Sequence, residues 1–96
     1  VPFGTILELG IIEAGARLFD ERRAFQAEVR ADGTLACGGR QGSIHKIGAQ
    51  VQGRQACNGW TYWHFETDGA LRPIDVLRDH AKKQLGLTGS AAAAHA

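Results

Sequence analysis

The chain has 96 residues, 44% of them hydrophobic, with 11 basic and 10 acidic side chains, enough for one domain that buries about two-thirds of its unfolded surface without staples. Two cysteines, Cys37 and Cys57, exclude a disulfide framework, and no secretory h-region accompanies them, so a reduced, cytoplasmic protein is expected. No apolar run reaches the roughly 18 residues of a membrane span, and no basic amphipathic helix offers an anchor. Val1 rather than Met heads the chain and the folded pattern starts at once, which points to a piece of a longer protein.

In GTILELGII, Thr5 is followed three places later by Glu8, a capping-box spacing, and Gly10 can close a short helix that packs on the core. Gly15 turns the chain into a strand at ARLF. FQAEVRA then alternates, with Phe25, Ala27, Val29 and Ala31 on one side and Gln26, Glu28 and Arg30 on the other. Asp32-Gly33 is a two-residue hairpin signal that sends residues 34–37 back antiparallel. GGRQG follows as a flexible, basic loop.

GSIHKIGAQVQG predicts a helix capped by Ser43 and ended by Gly53, with Ile44, Ile47 and Val51 on one stripe. Gly48 shares that stripe, and its missing side chain permits a close approach that offsets the roughly 1 kcal/mol a helical glycine costs. ACNGWTYWHFETDG reads as a strand ended by a turn at Thr67-Asp68-Gly69. Period two places Trp63 and Phe65 in the core, and turns Trp60, Tyr62 and His64 toward a thinner cover or solvent. Pro73 stands in the first turn of a last helix with Ile74, Val76, Leu77 and Leu85 apolar and Gly86 closing it. Residues 1–88 form the expected domain and 89–96 a frayed tail. The order helix, three strands, helix, strand, helix implies a small α+β domain, its mostly antiparallel sheet covered by helices on one face.

The near-neutral total hides a local imbalance. Residues 33–65 hold Arg40, Lys46 and Arg54 and no acid, and the same third carries four of the seven aromatic rings, as an anion or nucleic-acid surface does. A chance gap in a solvated face is the plainer explanation. Catalytic chemistry has no foothold: there is no phosphate-binding glycine loop, no G-x-S-x-G elbow and no paired carboxylates in that third. Cys37, His45, Cys57 and His64 are zinc-ligand types, but they lack the short chelating spacings, so no metal site is expected. Ser43-Ile44-His45-Lys46, preceded by Arg40, offers a helix amino end with free amides and positive charge, which serves either as a phosphate cradle or as a plain cap. Asn58-Gly59 reads as a turn, or as an amide able to meet a base edge beside an exposed Trp60. Arg78, among Asp75, Asp79 and Lys82, fits a solvated helix face.

GSIHKIGAQVQG, then CNGWTYWHFE, then PIDVLR resemble, in order and spacing, the C-terminal domain of alphaproteobacterial cell-cycle-regulated DNA adenine methyltransferases, of the RAMA (restriction enzyme and adenine methylase associated) type. The resemblance runs from VPFG through the last helix. It implies a module appended to an S-adenosylmethionine-dependent enzyme that methylates N6 of adenine in GANTC sites, cytoplasmic and nucleoid-associated, with a homodimeric parent. The appendage would engage double-stranded DNA and sit beside the catalytic domain. Arg40, Ser43, His45, Lys46, Asn58 and Trp60 would form the DNA surface. The catalytic DPPY and the glycine-rich donor motif of the family are absent from these residues, so the resemblance implies neither catalysis nor a cofactor for this domain. A protein-interaction module that docks on the catalytic domain or a second subunit is the competing expectation.

Overall fold

The computed structural model describes residues 1–86; the tail expected from residue 89 lies outside them. Among the described residues, six strands and four helices are present in the order α1 (Phe3–Glu8), β1 (Arg17–Phe19), β2 (Gln26–Val29), β3 (Leu35–Cys37), β4 (Arg40–Gly42), α2 (Ile44–Gln52), α3 (Gly59–Tyr62), β5 (His64–Thr67), β6 (Ala70–Pro73) and α4 (Asp75–Gln84). All strand pairs are antiparallel, in the order β4-β3-β2-β1-β5-β6. The α+β class read from the sequence is the class observed.

The inward face of the sheet follows from period two. Leu18 lies opposite Ala27 and Val29 opposite Leu35, and all four are buried. Against them pack Phe3 and Ile6 of α1, Ile44 and Ile47 of α2, Trp60 of α3, Trp63, Ile74 and Ala81 of α4. Burying these side chains supplies the main drive to fold.

Several local readings need correction. The opening helix starts at Phe3 with Pro2 as its N-cap and no side-chain cap. Thr5 therefore lies inside the helix and makes no capping box, because an earlier start buries Phe3. Gly10 does close it: the Gly10 N–H donates to Leu7 C=O and the Ile11 N–H to Ile6 C=O, both bonds of a Schellman end. The β2–β3 hairpin is present with a loop one residue longer than expected: Gly33 N–H donates to Arg30 C=O and Arg30 N–H to Thr34 C=O, the bulged three-residue form. Phe25 falls outside β2, in a loop tied by its N–H to Asp20 Oδ1 at 2.8 Å, and stays exposed.

GGRQG is a hairpin and a strand rather than a flexible loop. Gly38 and Gly39 have φ of 58° and 82°, the pair of left-handed residues a type I′ turn requires, and Cys37 pairs with Arg40 across it. A further hairpin joins β5 to β6 through Asp68-Gly69, with Thr67 opposite Ala70. Pro73 ends β6 instead of opening α4, a place it tolerates because β6 is an edge strand. Ile74, the N-cap of α4, and Ala81 within it are buried; Val76 is exposed because it stands off that stripe, and Leu85 is exposed at the C-cap, past the last turn. No helix among the described residues is long and apolar enough to cross a membrane.

The sheet has one weak seam. β1 and β5 share a single residue pair, Phe19 with His64, although β1 pairs fully with β2 and β5 with β6. Below that seam lies an apolar cleft lined by Ile11, Ile12, Phe19, Phe65 and Leu77, with Arg17 and Glu66 at its rim.

Candidate nucleic-acid interface

The start of α2 is built as its sequence implies. Ser43 is extended, and its Oγ accepts the Lys46 N–H at 3.0 Å, which removes one free donor from the helix end. Ile44 turns inward and is buried, so helical geometry sends His45 and Lys46 outward, where both are exposed. The Lys46 stem runs over Gly42, whose ideal Cβ would stand 3.1 Å from Lys46 Cδ. Arg40 is exposed on the edge strand β4, and Arg54 is exposed just past the left-handed Gly53 that ends α2. Among the described residues, Arg40, Lys46 and Arg54 take part in no ion pair; the three present are Arg23 with Glu66, Arg30 with Glu28 and Arg78 with Asp75.

The aromatic run is not one strand. Asn58 caps a single helical turn, its Oδ1 accepting the Trp60 N–H at 3.1 Å, and the strand begins only at His64. This overturns the expected exposure of Trp60. In a strand, residues 60 and 63 point to opposite faces; three apart on a helical turn, they share one. Trp60 and Trp63 accordingly enter the core together, 6% and 0% exposed. Phe3 meets Trp60 edge-on at 5.9 Å, and the Arg78 guanidinium lies 4.8 Å from the Trp60 ring centre. With these contacts on its ring, Trp60 is not a free stacking platform. Arg78 is also better held than a solvated face predicts, since it joins Asp75 as well as the indole.

Trp63 donates its Nε1 hydrogen to the Ile44 carbonyl at 3.0 Å, and Gly59 sits on the same carbonyl, where an added Cβ would come within 2.6 Å of the Ile44 C and O. Gly48 takes part as the sequence implied, though the close neighbours are Cys57, Tyr62 and Trp63 rather than the sheet's own strands; its Cβ would lie 2.8 Å from Cys57 Sγ. Tyr62 and His64, expected toward a thinner cover or solvent, are half-buried. Burial pushes the Tyr62 phenol above its ordinary pKa, with the nearby Asp20 carboxylate adding to the effect. The His64 Nδ1 hydrogen bonds to the Tyr62 carbonyl at 2.9 Å.

α2 and the turn after it thus form one body with two shallow depressions. The larger, about 490 Å³, is bordered by Ser43, His45, Lys46, Gln50, Arg54 and Gln55. The smaller, about 270 Å³, lies between Phe3, Ile44 and Trp60 and shares Ser43 and His45 with the first. Of the residues anticipated for a DNA surface, Ser43, His45, Lys46 and Asn58 are brought together, Trp60 forms a wall from inside, and Arg40 lies on β4, which packs beside α2. Gln50, Arg54 and Gln55 were not anticipated as site residues. Arg54 had a signal in the acid-free third, whereas the glutamines had none. Cys37 and Cys57 are free and half-buried, and no group of three His, Cys, Asp or Glu side chains among the described residues could hold a metal ion.

A mixed α+β module that presents a capped helix end and unpaired cations on an aromatic core is the class of protein these features define. The family model Restriction Enzyme Adenine Methylase Associated, RAMA, matches residues 1–86, and the chain belongs to that family.

Proposed function

We propose that this domain is the DNA-engaging accessory part of an S-adenosylmethionine-dependent N6-adenine methyltransferase of the alphaproteobacterial cell-cycle-regulated type, acting on GANTC sites in the cytoplasm. The donor site and the chemistry belong to a separate catalytic domain, and the parent works as a homodimer. The observation that carries this reading is the amino end of α2, where Ser43, Lys46 and Arg40 offer amides and uncompensated positive charge, with Arg54 beyond the other end of the helix bordering the same depression as Ser43 and Lys46 and no acid between residues 33 and 65. Membership of a family associated with adenine methylases supports it. A helix amino end and neighbouring cations favour phosphate, and such contacts position a duplex without reading its sequence.

Titration of the chain with a GANTC duplex and a scrambled duplex over a range of salt tests the proposal. Binding that weakens steeply with salt is expected, because phosphate contacts release counterions. Salt-independent binding, or none, would sink it. In the whole enzyme, removing this domain should reduce methylation of duplex more than of single-stranded substrate, since holding a duplex while a base leaves its stack needs the extra grip.

The apolar cleft at the β1–β5 seam favours a second reading, docking on the catalytic domain. Ile11, Ile12, Phe65 and Leu77 stand there beside two strands that pair at a single position, a combination suited to a protein partner. The two readings use different faces. Leu77→Glu should impair docking and leave DNA affinity unchanged.

A further inference from the structure

His45 does something that neither its charge nor its position on the helix would indicate. Its Nδ1 accepts the Gly59 N–H at 2.9 Å, across 14 residues of chain. Gly59 opens α3 and is buried, so its N–H is one of the first-turn donors that a helix cannot satisfy internally. Asn58 takes the next one, on Trp60. A ring nitrogen that accepts carries no proton, so the imidazole hydrogen is on Nε2, pointing away from Gly59. His45 also borders both depressions.

We propose that His45 is a positioning residue of the interface: it pins the Asn58-Gly59-Trp60 turn to the first turn of α2, so that a DNA backbone meets the amino end of α2 with the exposed Asn58 already held beside it. The inference rests on the DNA-engaging reading and gives His45 a role other than direct contact. Preorganisation of this kind acts by removing the ordering that binding would otherwise demand. The fold does not depend on the pin, because Trp63 Nε1 still holds the Ile44 carbonyl and Gly59 still packs on it.

Two substitutions separate pinning from contact. In His45→Asn the side-chain oxygen stands near the place of Nδ1 and keeps the pin, while its NH2 falls short of the place of Nε2; in His45→Gln the amide reaches the place of Nε2 and keeps the donor there without the pin. Duplex affinity of the 96-residue chain should fall about three- to ten-fold in His45→Gln and in His45→Ala, the loss of one hydrogen bond's worth of order, and His45→Asn should restore it to within about two-fold. The Gly59 amide should exchange slowly in the parent and His45→Asn and faster in His45→Gln. Imidazole nitrogen shifts should place the proton on Nε2.

The reverse order, with His45→Gln binding well and His45→Asn poorly, would make His45 a direct contact and overturn the inference. Equal affinity of all variants, or a proton on Nδ1 in the parent, would overturn it too. In each of these cases the parent still binds DNA, so the reading of the domain survives. A parent that binds no duplex defeats both.

Discussion

The two helix starts that meet at the candidate interface use the same local chemistry and come to opposite surroundings. Ser43 and Asn58 each cap a helix with a side-chain oxygen on a backbone N–H, at 3.0 and 3.1 Å. After Ser43 the chain sends His45 and Lys46 into solvent; after Asn58 it sends Gly59 and Trp60 into the core. A cap determines where a helix begins. Which side of it is covered depends on what the rest of the fold places there, and here α2 is itself the cover for α3.

The comparison is broken most severely at Trp63. Trp63→Ala removes a fully buried indole and leaves the Ile44 carbonyl without its partner, so a loss of about 3 to 5 kcal/mol is expected in denaturant melts. Trp60→Ala should cost somewhat less, as one edge of that ring borders the smaller depression. A larger loss at Trp60 would mean that α3, not the Trp63 bond to α2, holds the two starts together.

Gly59 and Gly48 sharpen the same contrast. Gly59→Ala drives a Cβ against the Ile44 backbone, which cannot move without shifting α2, and should cost about 1 to 3 kcal/mol. Gly48→Ala meets side chains instead, Cys57 Sγ first and then the Tyr62 and Trp63 rings, and gains about 1 kcal/mol of helix propensity, so its net cost should be smaller than that of Gly59→Ala. Equal melting temperatures for the two variants would show that α2 and α3 are less tightly docked than their geometry indicates.

The caps come next. Ser43→Ala and Asn58→Ala should each cost about 1 kcal/mol, and similar losses would establish that the two starts are equivalent as local structure. The smallest effect on stability is expected at Lys46. Lys46→Ala should stay within about 0.5 kcal/mol of the parent in thermal melts while flattening the salt dependence of DNA binding by about one phosphate contact. An unchanged slope would remove Lys46 from the interface.

Much of the framework was legible in the residues. Ser43 and Gly53 bound α2, alternation of Ala27 and Val29 marked β2, and Asp32-Gly33 and Asp68-Gly69 marked turns, because caps, period two and left-handed glycines act over a few residues. Gly38-Gly39 carried an equally local hairpin signal, hidden by reading the polar GGRQG as a loop. The aromatic run was ambiguous for a physical reason: CNGWTYWHF has rings at both strand and helix spacings, and Asn58 permits either a turn or a cap.

By itself, then, the sequence determined the α+β class, the extent of α2, the cation-rich middle third and the outward placement of His45 and Lys46, all consequences of spacing along the chain. Only the tertiary structure decided that Trp60 lies inside, that Arg78 rests on it, that Gln50, Arg54 and Gln55 border the same depression as Ser43, and that His45 reaches Gly59. The inward Trp60, the Arg78 contact and the His45 bond all accompany α3 docking against α2, where Gly59 fits against the Ile44 carbonyl: a through-space contact between residues 15 apart, which no local periodicity encodes.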